Sequence, residues 1–190
     1  ALSTTQVKGL TATELGALTA AQVDALAATQ LAALAATQVA GFTSTQTAAL
    51  DATQIAALTK PQVAALGADA LSGLSTTQIA ALTTTQASAL TATQIAGLAT
   101  RQVAALSQTQ IGVLNSTQVA ALTSSQIGAL TATQIAGLAT TQIAAIDAAA
   151  VAGLTATEIA ALASSQLAAL TATQFAGFTS AQVTALSTAQ

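Results

Sequence analysis

A large apolar residue stands at every eighth position from Leu2 to Leu186: 24 positions, of which 21 are Leu, Phe42 and Phe178 are Phe, and Ile146 is Ile. No insertion or deletion breaks the phase over 190 residues. With this residue labelled slot a of an octad a to h, a second apolar slot falls at f. It holds Val, Ile, Leu or Phe in 21 of 23 copies, with Thr47 and Ala87 the exceptions. The polar slots are as regular. Slot b is Ser, Thr, Asp or Asn in 18 of 24 copies, and slot e is Gln in 20, Glu in two (Glu14, Glu158) and Ala in two (Ala70, Ala150). One octapeptide, typically L-T-A-T-Q-I-A-A, is therefore the whole chain, and repetition this strict reads as architecture.

Slots b and e together form a capping box: the b side chain accepts from the amide three residues on, and the e side chain reaches back to the b amide. Slots a and f then sit at N′ and N4, the two halves of a hydrophobic staple. A helix start is thus encoded every eight residues. A β-solenoid, which Thr and Ile would suit, is disfavoured by spacing: f and the next a are three residues apart, as Ile95 and Leu98 are, which is one face of a helix but opposite faces of a strand. One long helix fails too, because eight residues overshoot two turns by about 80° and would wind the apolar stripe around the rod. The pattern predicts an all-α solenoid of very short helices, one per octad. Each is a segment of about six residues, c to h, roughly 9 Å long and stable only by stacking on other turns.

Some octads lack the cap, with Ala27, Ala35, Ala99, Ala139 and Ala163 at slot b and the weaker Gly67 at another; adjacent segments are expected to fuse there. Pro61 falls at slot d, the second helical residue, where a missing amide proton costs little. Gly41, Gly97, Gly137 and Gly177, each just before an apolar slot, suit a helix end or a close backbone approach. A longer period also emerges. The octads from Leu10, Leu50, Leu90, Leu130 and Leu170 all carry Ala-Thr at c and d, 40 residues apart, and Thr47 and Ala87 are 40 apart as well. This five-octad super-repeat has two readings: duplication of a 40-residue genetic segment, or five octads completing a whole number of superhelical turns.

Composition removes most chemistry. The chain has no His, Cys, Met, Trp or Tyr, and only nine charged residues, three basic and six acidic, for a net charge of −3. Three scattered cations make no basic stripe, so no nucleic-acid partner is expected. Every octad carries Thr, Ser, Gln or, at Asp147, an acidic residue, which leaves no run of about 18 apolar residues to enter a bilayer. The six carboxylates are dispersed, and Asp51 and Asp147 at slot b read as N-caps and not as acid–base pairs. Asn115-Ser116-Thr117 matches the N-glycosylation acceptor, though Asn115 is also a slot b cap. We expect no catalytic residue, no metal site, no cofactor and no small-molecule substrate. The absence of Cys leaves the redox compartment open. Ala1 fills the last slot of an octad and Gln190 the fifth, so residues 1–190 are expected to be one continuous array excerpted from a longer one.

Leu10-Thr11-Ala12-Thr13-Glu14-Leu15 and Leu58-Thr59-Lys60-Pro61-Gln62-Val63 resemble the opening helix of the plant-pathogen TAL effector repeat, L-T-P-x-Q-V, over about six residues. The period, base-reading residues and basic charge of that family are missing, so DNA binding does not carry over. Across every octad the chain is similar to the L-[ST]-x-x-Q-[IV]-A-A arrays of very large bacterial surface or secreted proteins, some labelled adhesion or haem-utilisation proteins. That resemblance implies a surface location and a structural role. Haem binding is not implied, since no axial His, Cys, Met or Tyr exists here.

The expected role is a structural segment of an extracellular bacterial fibre, stalk or surface filament. Its nearly uncharged Ala/Thr/Gln surface would favour self-association, laterally or end to end. The competing expectation is an adhesive or ice-binding Thr-rich β-solenoid. A designed consensus scaffold is disfavoured by the irregular Thr47, Ala70, Ala87 and Ala150.

Overall fold

A computed structural model of the chain describes residues 2–187. Among these residues there are 23 α-helices of four to six residues and no strand, from α1 (Thr4–Lys8) to α23 (Ser180–Thr184). The all-α expectation holds, and the β-solenoid reading does not. Every helix starts at slot c with slot b as its N-cap, as the capping pattern requires. Thr91, for example, is extended (φ −77°, ψ 159°) ahead of α12 (Ala92–Gly97). The chain turns each corner through extended residues at a and b, so no described residue needs a positive φ, glycines included.

The residues fall into two compact units, Ala1–Leu98 and Ala99–Gln190. In both, each helix packs on the one three places earlier. In the first unit α6 (Ser44–Ala49) is joined in this way by α9 (Ala68–Gly73); in the second, α16 (Ser124–Ile127) is joined by α19 (Ala148–Val151). Stacking is what makes such helices stable, since one turn alone cannot nucleate and persist in water.

Slots a and f fill the core. Ile55, Ile79, Ile95 and Ile135 are at most 1 % exposed, and Leu74, Leu90 and Leu106 at most 3 %. Exceptions lie in the first and last turns, where no described helix covers one side: Leu2, Phe175 and Val183 are exposed, and Phe175 stacks on Phe178 with ring centroids 4.8 Å apart. Slots b, c, d and g mostly face solvent.

Two sequence expectations need correction. Helices do not fuse where slot b is Ala. Ahead of α4 (Ala28–Ala32) the N-cap Ala27 keeps the extended conformation (φ −64°, ψ 149°), because the Gln30 side chain still accepts its amide at 2.7 Å. The same half-box holds Ala35, Ala99, Ala139 and Ala163. The five-octad spacing is also not the spacing of a turn. Neighbouring helices are three octads apart, and the glutamine contacts below place each octad over the joint between the third and fourth octads before it. A turn therefore takes between three and four octads, and five cannot close a whole number of turns.

None of the glycines before slot a is a left-handed helix end, and not all of them mark a close approach. A Cβ on Gly41 would lie 2.2 Å from the Ala12 carbonyl oxygen, whereas one on Gly97 would meet nothing within 4 Å.

Candidate functional site

The side chain that distinguishes this chain from a plain amphipathic repeat is the slot e glutamine. From Gln38 onward it is buried almost wherever it occurs, at 7 % exposure or less. A buried primary amide needs both its oxygen and its nitrogen satisfied. Gln94 shows how. Its Oε1 accepts from the Thr91 amide at 2.7 Å, closing the local box, and its Nε2 donates to the carbonyls of Val63 at 2.9 Å, Ala64 at 3.3 Å and Leu66 at 2.8 Å. Those carbonyls end α8 (Lys60–Ala65), so one amide links the start of one helix to the end of another four octads earlier.

The contact repeats in register. In the first unit Gln46 reaches Leu15 and Leu18, Gln54 reaches Leu26, Gln62 reaches Leu31 and Leu34, Gln78 reaches Thr47 and Leu50, and Gln86 reaches Ile55 and Leu58. In the second, Gln142 reaches Ile111 and Leu114, Gln174 reaches Ile143 and Ile146, and Gln182 reaches Val151 and Leu154. The amide orientation is chemically fixed: oxygen faces an N–H and nitrogen faces carbonyls. Carbonyls at the ends of these short helices, which a longer helix would bond internally, find their donors here.

Slot b contributes less. Thr91 Oγ1 accepts from the Gln94 amide at 3.1 Å, but Thr59 turns its hydroxyl to Gln62 Oε1 at 3.0 Å, and five octads use Ala. Asp51 caps the Gln54 amide at 2.7 Å and Asp147 the Ala149 amide at 2.8 Å, the roles expected from sequence. Asn115 caps the Gln118 amide at 3.0 Å with an exposed side chain.

In two octads slot e carries no polar side chain at all. Ala70 at slot e coincides with Gly73 at slot h, and Ala150 with Gly153. At the first, α9 comes close to α6: the Thr47 hydroxyl, 1 % exposed, donates to the Ala70 carbonyl at 2.5 Å, and the Ser44 amide donates to Asp69 Oδ2 at 2.9 Å. The polar exception at slot f, Thr47, thus belongs with the missing glutamine at slot e. Sequence reasoning did not connect them, although 23 residues is nearly the three-octad stacking distance.

The Glu14 carboxylate is stabilised in its ionised form by its own N-cap residue. The Thr11 amide, at 2.7 Å, and then the Thr11 hydroxyl, at 2.9 Å, donate to Oε2 and hold its pKa below the ordinary value. A lowered folded pKa contributes stability that is present above the unfolded value and lost as pH falls through the folded one. The Thr11 amide signal is therefore expected to move, and α2 (Ala12–Ala17) to loosen, as acid protonates Glu14. Glu14→Gln should abolish that titration, which an NMR pH series would read.

Among the described residues no group of three or more acidic, His or Cys side chains could hold a metal ion, and no helix is long and apolar enough to cross a membrane. A shallow groove of about 320 Å³ at the start of the first unit is lined by Leu2, Leu18, Gln22, Ala25, Leu26 and Gln30, a mostly apolar set with no titratable group. What the arrangement does chemically is bind its own backbone.

Residues 95–132 and 112–140 match the family model described as the ALTTAQ repeat. Its six letters follow the order in which Ala81 to Gln86 runs, save for Thr85. No curated protein and no solved structure matches the chain.

Proposed function

We propose that this chain is a structural repeat segment of an extracellular bacterial fibre, stalk or surface filament, and that it self-associates. The glutamine ladder carries the reading. In each unit a buried side-chain amide spans 28 to 31 residues and couples one turn to the next, as Gln94 does with Val63 and Leu66. Such coupling adds cohesion along a stack without any binding pocket, which is what a load-bearing element needs and an enzyme does not. The exposed slots support association between copies. Only nine of 190 residues are charged, and the solvent-facing positions are mainly Thr, Ser and Ala, so little electrostatic repulsion opposes contact.

The test is electron microscopy and light scattering of the purified chain over a range of concentrations. Thin uniform filaments, or a mass that rises reversibly with concentration, are the expected result. A monomer at every concentration would overturn self-association. Labelling of intact cells with an antibody against the repeat tests the location, and signal only after lysis would overturn it.

A further inference from the structure

The ladder is not uniform, and its gaps are placed unequally. In the second unit the rungs at Gln134, Gln142, Gln166, Gln174 and Gln182 are made, but two consecutive octads between them have none: Ala150 has no amide, and Glu158 has a carboxylate in its place. Glu158 is buried at 2 % exposure, and its Oε2 takes the Thr155 amide at 2.5 Å as a glutamine oxygen would. Its other oxygen then stands where every glutamine presents Nε2, and a carboxylate accepts where a donor is needed. By the ladder register, the carbonyls of Val119 and Leu122 lose their rung to Ala150, and those of Ile127 and Leu130 to Glu158.

The single gap in the first unit is bridged. Ala70 is held by the Thr47 hydroxyl, and the neighbouring Asp69 takes the Ser44 amide. The equivalent positions at the second gap are Ile127 for Thr47 and Ala149 for Asp69, neither of which can make those bonds. What joins α19 to α16 is apolar burial and a close backbone contact, where a Cβ on Gly153 would lie 2.1 Å from the Ser124 carbonyl oxygen.

We infer that α19 and α20 (Ala156–Ala161) form a built-in release point, the segment of the second unit that separates first from the turn beneath it. Local opening is easier where fewer tertiary interactions must be broken, and two adjacent missing rungs concentrate that deficit in one place. In a fibre under load this segment would pay out chain before the rest. That use rests on the structural reading above, but the release point itself does not and can be tested without load.

The experiment is native-state hydrogen exchange with mass spectrometry on the full chain. Peptides within 147–162 are expected to exchange at least about tenfold faster than peptides within 51–66, an interior stretch with complete rungs. Because the tight α16–α19 contact leaves little room at position 150, Glu158→Gln, which keeps the shape of the native side chain, is the deciding variant. It should slow exchange over 147–162 several-fold and leave 51–66 unchanged. Equal exchange in the two stretches of the native chain would overturn the inference. So would fast exchange that Glu158→Gln leaves unaltered, since the missing amide would then not be its cause.

Discussion

Gln94→Ala is expected to lower the stability of the chain by roughly 3 kcal/mol, while Thr91→Ala, three residues away in the same capping box, should cost only about 0.5–1 kcal/mol. The two residues look like equal partners in sequence, and the structure separates them. Removing the Thr91 hydroxyl withdraws one 3.1 Å acceptor from a cap whose residue faces solvent. Removing the Gln94 side chain leaves the Thr91 amide without its acceptor and the Leu66 carbonyl without its 2.8 Å donor. It also takes a second bond from Val63, whose carbonyl keeps the Leu66 amide at 3.2 Å. Each unsatisfied buried group costs on the order of 1–3 kcal/mol, and the void left by a buried side chain adds to it. Gln94→Leu separates these terms, since it restores volume but no hydrogen bond. Urea unfolding of the three variants reads the difference. Equal losses for Thr91→Ala and Gln94→Ala would mean that the bonds to the preceding turn contribute nothing.

The fold was largely legible because its determinants are local. Caps at b and e, the a–f staple and the three-residue step from f to a all act within one octad, and each specifies a helix start, a buried face or a corner. The ladder was not legible as contact, because the partners of each Nε2 lie 28 to 31 residues back, beyond any local rule. One signal was nonetheless present. A capping box accepts Glu as readily as Gln, yet slot e holds 20 Gln and two Glu. A preference that strong asks for a donor as well as an acceptor, and only the amide has both. At Ala27 and Ala139 the expected fusion failed where the slot e glutamine alone still accepts the N-cap amide. The turn number was hidden because the 40-residue period of the sequence has no counterpart in the stacking distance of three octads.

Glycine substitutions should split by sign according to what faces them. Gly97→Ala meets open space and removes unfolded-state freedom, so a gain of up to about 0.5–1 kcal/mol is expected. Gly73→Ala places a methyl group 2.1 Å from the Ser44 carbonyl oxygen and 2.6 Å from its carbonyl carbon, both backbone atoms that cannot rotate away. The helix itself would have to shift, and overpacking of this kind costs roughly 1–3 kcal/mol. Here the shift also pulls α9 off the Thr47 hydroxyl and Asp69 off the Ser44 amide, bonds of 2.5 and 2.9 Å that bridge the missing rung at Ala70. A total loss of about 3 kcal/mol or more follows, with the Thr47 bond serving as a diagnostic. If Gly73→Ala acts through displacement of α9, Thr47→Val in the same background should add little, because its bond is already broken; in the native background it should cost about 1–2 kcal/mol. Additive losses from the two substitutions would show that the close approach and the hydroxyl clamp are independent. The coincidence of Ala at slot e with Gly at slot h would then no longer mark one cooperative joint.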